Sequence, residues 1–164
     1  MKKISLLLTL LITLTMNTVN SQTDFSPLKK LDRKTAKTLA DFYHFWETGD
    51  GDLLAASTSK SIKDHDRNPT IPGTDYESIL GTGKSLHGLS EMQHVFTEVL
   101  PQDDGRIVIR WQGSAKHSGE VFGIPATGKT VYFNGHDIIR LEENKIVELW
   151  HIEQLLQLLS QIQN

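Results

Sequence analysis

The chain has 164 residues, enough for one domain with its own hydrophobic core. It contains no cysteine, which excludes a disulfide framework and a cysteine-held lipid anchor. The first 21 residues hold two of the 17 basic residues and none of the 20 acidic ones, so the remainder has 15 basic residues and a formal charge of −5. Without a block of basic residues, this balance argues against binding to nucleic acid or to an anionic membrane.

The N-terminal segment has the pattern of an export signal. A basic start at Lys2-Lys3 precedes a largely apolar run over residues 4–16, and polar and small residues follow. The run is shorter than the roughly 20 residues of a membrane span. We predict a signal peptide at residues 1–21 and a protein that is periplasmic or secreted, with no membrane attachment after cleavage. An uncleaved anchor or a disordered tail is the alternative. A polar linker at 22–30 and one domain at 31–164 are predicted to follow.

The domain begins with helical periodicity. Apolar side chains from Leu39 to Trp46 recur at i, i+3, i+4 and i+7, which predicts a helix over about 31–48. Asp50 has the side chain of a helix cap and predicts a second, short helix over 53–57.

The middle of the chain is harder to assign. Residues 61–66 are predicted as a short strand, and 67–88, with their prolines and glycines, as a long loop containing one helical turn. An apolar stripe that begins at Met92 follows helical spacing, so a helix is predicted over 91–100. On that helix His94 would lie on the polar side and be solvated.

Beyond Gly105 the pattern changes to the alternation of strands, beginning at Ile107. Residues 129–142 form one long bent strand or a strand pair, 145–151 pair back after a tight turn, and a helix follows over about 152–162. Helices followed by an antiparallel sheet predict an α+β fold with helices packed on one face of the sheet.

Asp137 is a carboxylate in line with apolar side chains. Strand side chains alternate between faces, so a regular strand points Asp137 the same way as Phe133 and Ile139. A carboxylate on an apolar face is costly, so we expect it to be paired, protonated or part of a functional site. Burial would raise its pKa towards the range in which it can abstract a proton beside a carbonyl. The alternatives are an ion pair with Arg140 or Arg110, or an outward orientation through a bulge.

Two histidines are candidate neighbours of Asp137. His117 shares the parity of Trp111 and would meet Asp137 inside the fold, although a strand-end position near solvent is equally open. His65 lies between two aspartates, but a strand points it away from both, so we predict no metal site.

Of the remaining histidines, His44 and His136 are predicted to face solvent and His151 is unassigned. The sequence Gly-Thr-Gly-Lys-Ser at 81–85 lacks the earlier glycine of a phosphate loop. Five aromatic side chains either line a pocket for a flat apolar ligand or belong to the core: Tyr43, Trp46, Trp111, Phe133 and Trp150.

Three segments carry a resemblance to a known family. Gly-Glu-Val-Phe-Gly-Ile-Pro-Ala-Thr-Gly-Lys at 119–129, His-Asp-Ile-Ile-Arg at 136–140 and Lys-Ile-Val-Glu-Leu-Trp at 145–150 follow an aromatic helix that ends in Gly-Asp. Together they resemble the SnoaL-like polyketide cyclase (ester cyclase) family of the nuclear-transport-factor-2-like superfamily, over about 31–162. The resemblance implies a cone: a strongly bent antiparallel sheet wrapped by helices, a cystatin-like α+β barrel, around an apolar pocket. It also implies a homodimer formed through the outer sheet face.

The resemblance also implies an activity. Characterised members close a polyketide ring by an intramolecular aldol reaction without metal or cofactor, and the aspartate that acts as acid and base corresponds to Asp137. His65 would lie at the pocket rim. Gln154 stands where the family often has a second acid. We therefore expect an exported, cofactor-free lyase, isomerase or cyclase acting on a small apolar carbonyl compound. The alternatives are a non-catalytic module that binds an apolar small molecule in the periplasm, or a structural dimer whose own side chains fill the pocket.

Overall fold

The computed structural model describes residues 22–67 and 69–163, so the predicted signal peptide lies outside the described residues. Within the described residues, no helix combines the length and the apolar character needed to cross a membrane. The elements in chain order are α1 (Arg33–Thr48), α2 (Gly51–Ser57), β1 (Thr58–Asp64), α3 (Asp75–Ser85), β2 (Leu89–Pro101), β3 (Arg106–His117), β4 (Thr130–Glu142), β5 (Lys145–Glu153) and α4 (Leu155–Gln163), with short 3₁₀ helices at Ser26–Lys30 and Leu86–Gly88.

The strands form one curved sheet in the order β1-β5-β4-β3-β2. All neighbours are antiparallel except β1 and β5, which run parallel. The predicted α+β class and the curved sheet with helices packed on it are confirmed.

The first helix is confirmed in its position, and its caps account for where it begins and ends. The Asp32 side chain accepts hydrogen bonds from the backbone N–H groups of Lys34 and Thr35, which satisfies two free donors at the start of α1. Gly49 ends the helix in the left-handed region, at φ 72°, which a glycine adopts without steric cost. Asp50 caps α2, as predicted.

The helix predicted over 91–100 is wrong, because this segment is strand β2. The register against β3 shifts between Ser90 and Gln93 and again between Phe96 and Glu98. Each shift changes which positions face inwards, so the buried side chains fall at 89, then at 92, 94 and 96, and then at 99. A strand with irregular register thus imitates the spacing of a helix. The prediction that His94 is solvated fails with it, since His94 is only 3% exposed.

The loop predicted over 67–88 contains an eleven-residue helix, α3. Thr74 and Glu77 form a capping box, in which each side chain accepts a hydrogen bond from the other residue's backbone N–H. Gly83 lies inside α3, and a Cβ atom there would come within 2.3 Å of Phe45 Cζ. Gly83 therefore allows α3 to approach α1 closely, and the glycines of 81–85 belong to a helix.

The segment predicted as a polar linker, residues 22–30, is packed onto the sheet. Asp24 exchanges backbone hydrogen bonds with His94 and Phe96, at 3.0 and 2.9 Å. Phe25 stacks on Phe96 with ring centroids 4.5 Å apart, and Leu28 is buried. The segment therefore covers part of the edge of β2, whose backbone groups would otherwise be unpaired there.

Two apolar clusters form the core. The larger lies between the inner sheet face and helices α1, α2 and α3, and the smaller lies under α4, whose Leu158 and Ile162 pack near Val131 and Leu89. The space between the two clusters is only partly filled, and it holds the candidate site.

Candidate functional site

A cavity of about 340 Å³ opens between the two clusters. Its wall is mainly apolar and is completed by a few polar side chains, a composition typical of small-molecule sites. Helices α1 and α3 form one side, the inner sheet face forms the floor, and α4 closes one end. The polar and charged lining residues are Tyr43, Asp64, Asp66, Ser78, Thr82, Ser85, His94, Asp137, His151, Glu153 and Gln154.

Asp137 lies in the cavity floor, as its parity predicts. It is 5% exposed, and Oδ2 accepts hydrogen bonds from the Tyr43 hydroxyl and from Trp111 Nε1, the latter at 3.0 Å. Neither alternative partner reaches it: Arg140 instead donates to Glu142 and to Glu148, at 2.8 Å for the latter, and Arg110 is exposed on the strand. The carboxylate is therefore held by two neutral donors and by no arginine.

The protonation of Asp137 follows from this environment. Burial, the largest influence, raises the pKa of Asp137 from its ordinary 3.8 to about 7. The Tyr43 hydrogen bond and the nearby His151 oppose the rise, while the charge of Glu153 adds to it. Burial, together with the charge of Asp137, raises the pKa of Tyr43 well above its ordinary value, so the phenol keeps its proton and remains a donor.

Gly135 positions the indole of Trp111, one of the two groups that donate a hydrogen bond to Asp137. Gly135 faces Trp111 across β3 and β4, and a Cβ atom there would come within 2.5 Å of Trp111 Cζ2 and 2.6 Å of the Ile152 carbonyl oxygen. The indole therefore lies directly on the backbone of β4. This contact places Nε1 beside the carboxylate two residues further along the same strand.

A charged network borders Asp137 on β5. His151 is the strand partner of Asp137, and its ring nitrogens lie 3.2 Å from Asp64 Oδ1 and 2.8 Å from Glu153 Oε1. Burial opposes the charged ring, but the hydrogen bonds and charges of Asp64 and Glu153 outweigh it and raise the pKa of His151 to about 10. His151 is thus a cation at neutral pH, with both N–H groups occupied by carboxylates. A regular hairpin would have paired Asp137 with Trp150. The register shift between Arg140 and Leu141 brings His151 opposite Asp137 instead, so the sequence alone did not reveal this neighbour.

A second buried pair, which sequence reasoning missed, joins α1 to β2. Glu47 Oε1 accepts a hydrogen bond from the His94 backbone N–H at 2.9 Å and lies 3.3 Å from His94 Nδ1. Thr23 donates to the same oxygen at 2.8 Å, and His44 Nδ1 lies 2.7 Å from Oε2. Burial works against the carboxylate charge, but these contacts outweigh it and lower the pKa of Glu47. The His94 ring borders the cavity, whereas His44 is half exposed outside it.

His117 does not meet Asp137, and this prediction is corrected. The side chain is fully buried, in agreement with its parity, but its Nδ1 lies 3.0 Å from Thr127 Oγ1. Asp137 pairs with Ile109, so His117 lies eight positions further along β3, roughly 26 Å at about 3.3 Å per residue. Parity gives the face of a strand but not the distance along it.

His65 and Trp150 are also corrected, because both lie on the outer face of the sheet, away from the cavity. Trp150 is the strand partner of Ile138, one position out of phase with Asp137. The two rings stack with centroids 4.2 Å apart and planes 6° apart. β1 ends at Asp64, and in the turn that follows it His65 points away from Asp64 and Asp66, which line the cavity. The other four predicted aromatic side chains do line it: Tyr43, Trp46, Trp111 and Phe133.

The fold and the cavity define a class: a small domain in which a curved sheet and helices enclose a ligand-sized space whose lining includes the buried carboxyl groups of Asp137 and Asp64. More specifically, residues 37–162 match the model of the SnoaL-like polyketide cyclase family, and the chain belongs to that family. A search of curated proteins finds no match.

Solved structures of similar fold come from several bacteria. IdmH from Streptomyces antibioticus, a candidate polyketide cyclase, is 23% identical with a TM-score of 0.66 over 79% of this chain and 99% of its own. TsrD from Streptomyces laurentii is 20% identical with a TM-score of 0.68 over 80% and 97%. AclR from Streptomyces galilaeus, a candidate hydroxylase, is 20% identical with a TM-score of 0.64 over 79% and 81%. At these identities the likeness is one of fold, which by itself does not fix a reaction.

Proposed function

We propose that this protein is a cofactor-free enzyme in which Asp137 removes a proton next to the carbonyl group of a small apolar compound, as a lyase, isomerase or cyclase. The supporting observation is the position of Asp137. It is a buried carboxyl group with a pKa of about 7, in the floor of a cavity with mainly apolar walls. A general base is most effective when its pKa lies near the working pH. The proposal includes export of the protein and its assembly as a homodimer.

The hydrogen bonds around Asp137 suit this role. Tyr43 and Trp111 both donate to Oδ2, which leaves Oδ1 as the oxygen that receives the substrate proton. The protonated form is neutral and is the form that burial favours, so uptake of the proton relieves the cost of the buried charge. The same proton is then available for return to another atom of the bound molecule. The reaction would therefore be a proton transfer that rearranges, closes or cleaves the substrate.

Hydrogen exchange tests the first step without knowledge of the natural substrate. A panel of small apolar ketones and diketones is incubated with the protein in D2O, and loss of the proton signals next to the carbonyl is followed by NMR. Asp137→Asn keeps the size of the side chain and removes the base, so we expect at least a hundredfold slower exchange. Asp104→Asn, on an exposed turn, is the matched control. Equal exchange by wild type and Asp137→Asn would refute the assignment.

The second candidate is a binding module for an apolar small molecule in the periplasm. It is favoured by the neutral Gln154, which lines the cavity at the position where the family often has an acid. Such a module would copurify with a ligand that stays chemically unchanged on long incubation. Mass spectrometry of the extracted ligand before and after incubation distinguishes the two functions.

A further inference from the structure

The cavity has a second polar position besides Asp137, and it lies at His94. We propose that His94, held by Glu47, is a further catalytic residue that donates a proton to a second oxygen of the substrate. This inference rests on the proposed function, because it concerns the same cavity and the same reaction.

The first support is the fixed orientation of the imidazole. Glu47 receives the His94 backbone N–H and lies at Nδ1, so the carboxylate fixes both the strand and the ring edge. Glu47 is 7% exposed at its side chain and keeps its charge, since its pKa is lowered in spite of burial. A buried carboxylate at Nδ1 orients a histidine and compensates its charge when Nε2 also carries a proton. Nε2 is then the nitrogen that can serve a ligand.

The second support is the position of the ring. His94 borders the cavity, and its ring lies 5.0 Å from Trp111 and 5.5 Å from Tyr43, measured between centroids, in edge-on contacts. These are the two residues whose polar groups donate to Asp137. His94 and Asp137 are therefore separated by about one aromatic ring. A substrate with two oxygen functions can therefore present one to each residue.

The family resemblance implies an intramolecular aldol reaction, and in such an addition both Asp137 and His94 have a role. Asp137 takes a proton from the carbon next to the first carbonyl group, and that carbon forms a bond to the carbon of the second carbonyl group. The oxygen of the second carbonyl group takes the proton of His94 Nε2 and becomes a hydroxyl. The substrate is thus converted to its cyclic isomer with no net loss of atoms, and solvent returns the proton from Asp137 to His94.

The probe is heptane-2,6-dione, a linear diketone that closes to a six-membered ring in this way. Two rates are measured by NMR in parallel: hydrogen exchange next to a carbonyl, and ring closure. His94→Gln is expected to slow ring closure at least a hundredfold, the usual contribution of a general acid, and to slow it at least tenfold more than exchange. Asp137→Asn is expected to slow both rates by a similar factor.

His136→Gln is the matched control. His136 is exposed on the outer face of β4 and does not line the cavity, so its loss should change the rate of ring closure by less than about threefold. If His94→Gln does not fold, His94→Phe keeps the aromatic contacts and still removes the proton donor. Adding 4-methylimidazole to His94→Ala should restore part of the ring closure, which a purely structural role of His94 would not produce.

The remaining outcomes separate a failure of the role of His94 from a failure of the role of Asp137. Exchange by the wild type without ring closure overturns the inference and leaves the role of Asp137 intact. Ring closure that is equally fast in wild type and His94→Gln does the same. Absence of both reactions, or exchange that survives Asp137→Asn, overturns the proposed function itself.

Discussion

The environment of Asp137 predicts an unusual dependence of stability on pH. A carboxyl group whose pKa is about 7 in the folded protein and near 3.8 in the unfolded chain binds more protons in the folded state between these values. Its contribution to stability is therefore complete below pH about 4 and is lost as the pH rises through about 7. Most buried carboxylates with cationic partners have the opposite sign. The difference between the two pKa values corresponds to about 4 kcal/mol in the free energy of unfolding.

Asp137→Asn isolates this contribution. The amide has nearly the same size, its oxygen can accept from Tyr43 or Trp111, and it does not titrate. We expect the variant to match or exceed the wild type in stability at pH 8. The advantage of the variant should shrink by about 4 kcal/mol as the pH falls towards 4. All other titrating groups are common to both proteins, so the difference between their curves reports Asp137.

The measurement is urea unfolding of both proteins at half-unit steps of pH, with the free energy of unfolding extrapolated to water. A difference curve that is flat, or that favours the wild type increasingly as the pH rises, would refute the reasoning. Either result would mean that Asp137 is charged at low cost in the folded protein. The argument that Asp137 is a general base with a pKa near neutral pH would then fail as well.

Three further predictions concern other parts of the molecule. His151→Gln leaves Asp64 without its cationic partner and should cost about 3 kcal/mol at pH 7, measured by urea unfolding. Because the pKa of His151 is raised to about 10, the stability it contributes should be complete below pH about 6.5 and disappear as the pH rises through 10. Gly83→Ala should cost about 1–3 kcal/mol by collision with Phe45. Gly81→Ala, in the same helix with nothing within 4 Å, should be neutral or stabilising by up to about 1 kcal/mol, and equal effects of the two would contradict this packing. Finally, export predicts that protein from the periplasm or medium begins after Ser21, which intact-mass measurement checks.

The orientation of Asp137 was predictable because β4 is regular around it. The register against β3 runs without a shift from Thr130 to Arg140, so simple alternation describes the inner face. The same rule places His136 outwards, where it is exposed. Local patterns therefore suffice where the strand pairing is uninterrupted.

The second polar position could not be predicted because it depends on irregular pairing. Two register shifts in β2 give its apolar residues a helical spacing, so the sequence pattern placed His94 on a helix instead of a strand. Glu47 is a charged residue on a helix, and nothing in its neighbourhood in the sequence signals burial. Its partners come from Thr23 and β2, which only the three-dimensional packing brings to α1. The prediction for His117 was wrong for a different reason. The face of the strand was predicted correctly, but the distance along the strand from the position opposite Asp137 was not.

Helix α4 gives the cavity a wall that is built separately from its reactive floor. Leu155 and Leu158 of α4 line the cavity, while Asp137, Trp111 and Tyr43 belong to the sheet and α1. Substitutions on α4 can therefore reshape the space without moving the strands that carry the carboxylate. Relatives could in this way diverge in the molecules they accept while keeping one proton-transfer chemistry. For an engineer, α4 is the place to vary specificity first.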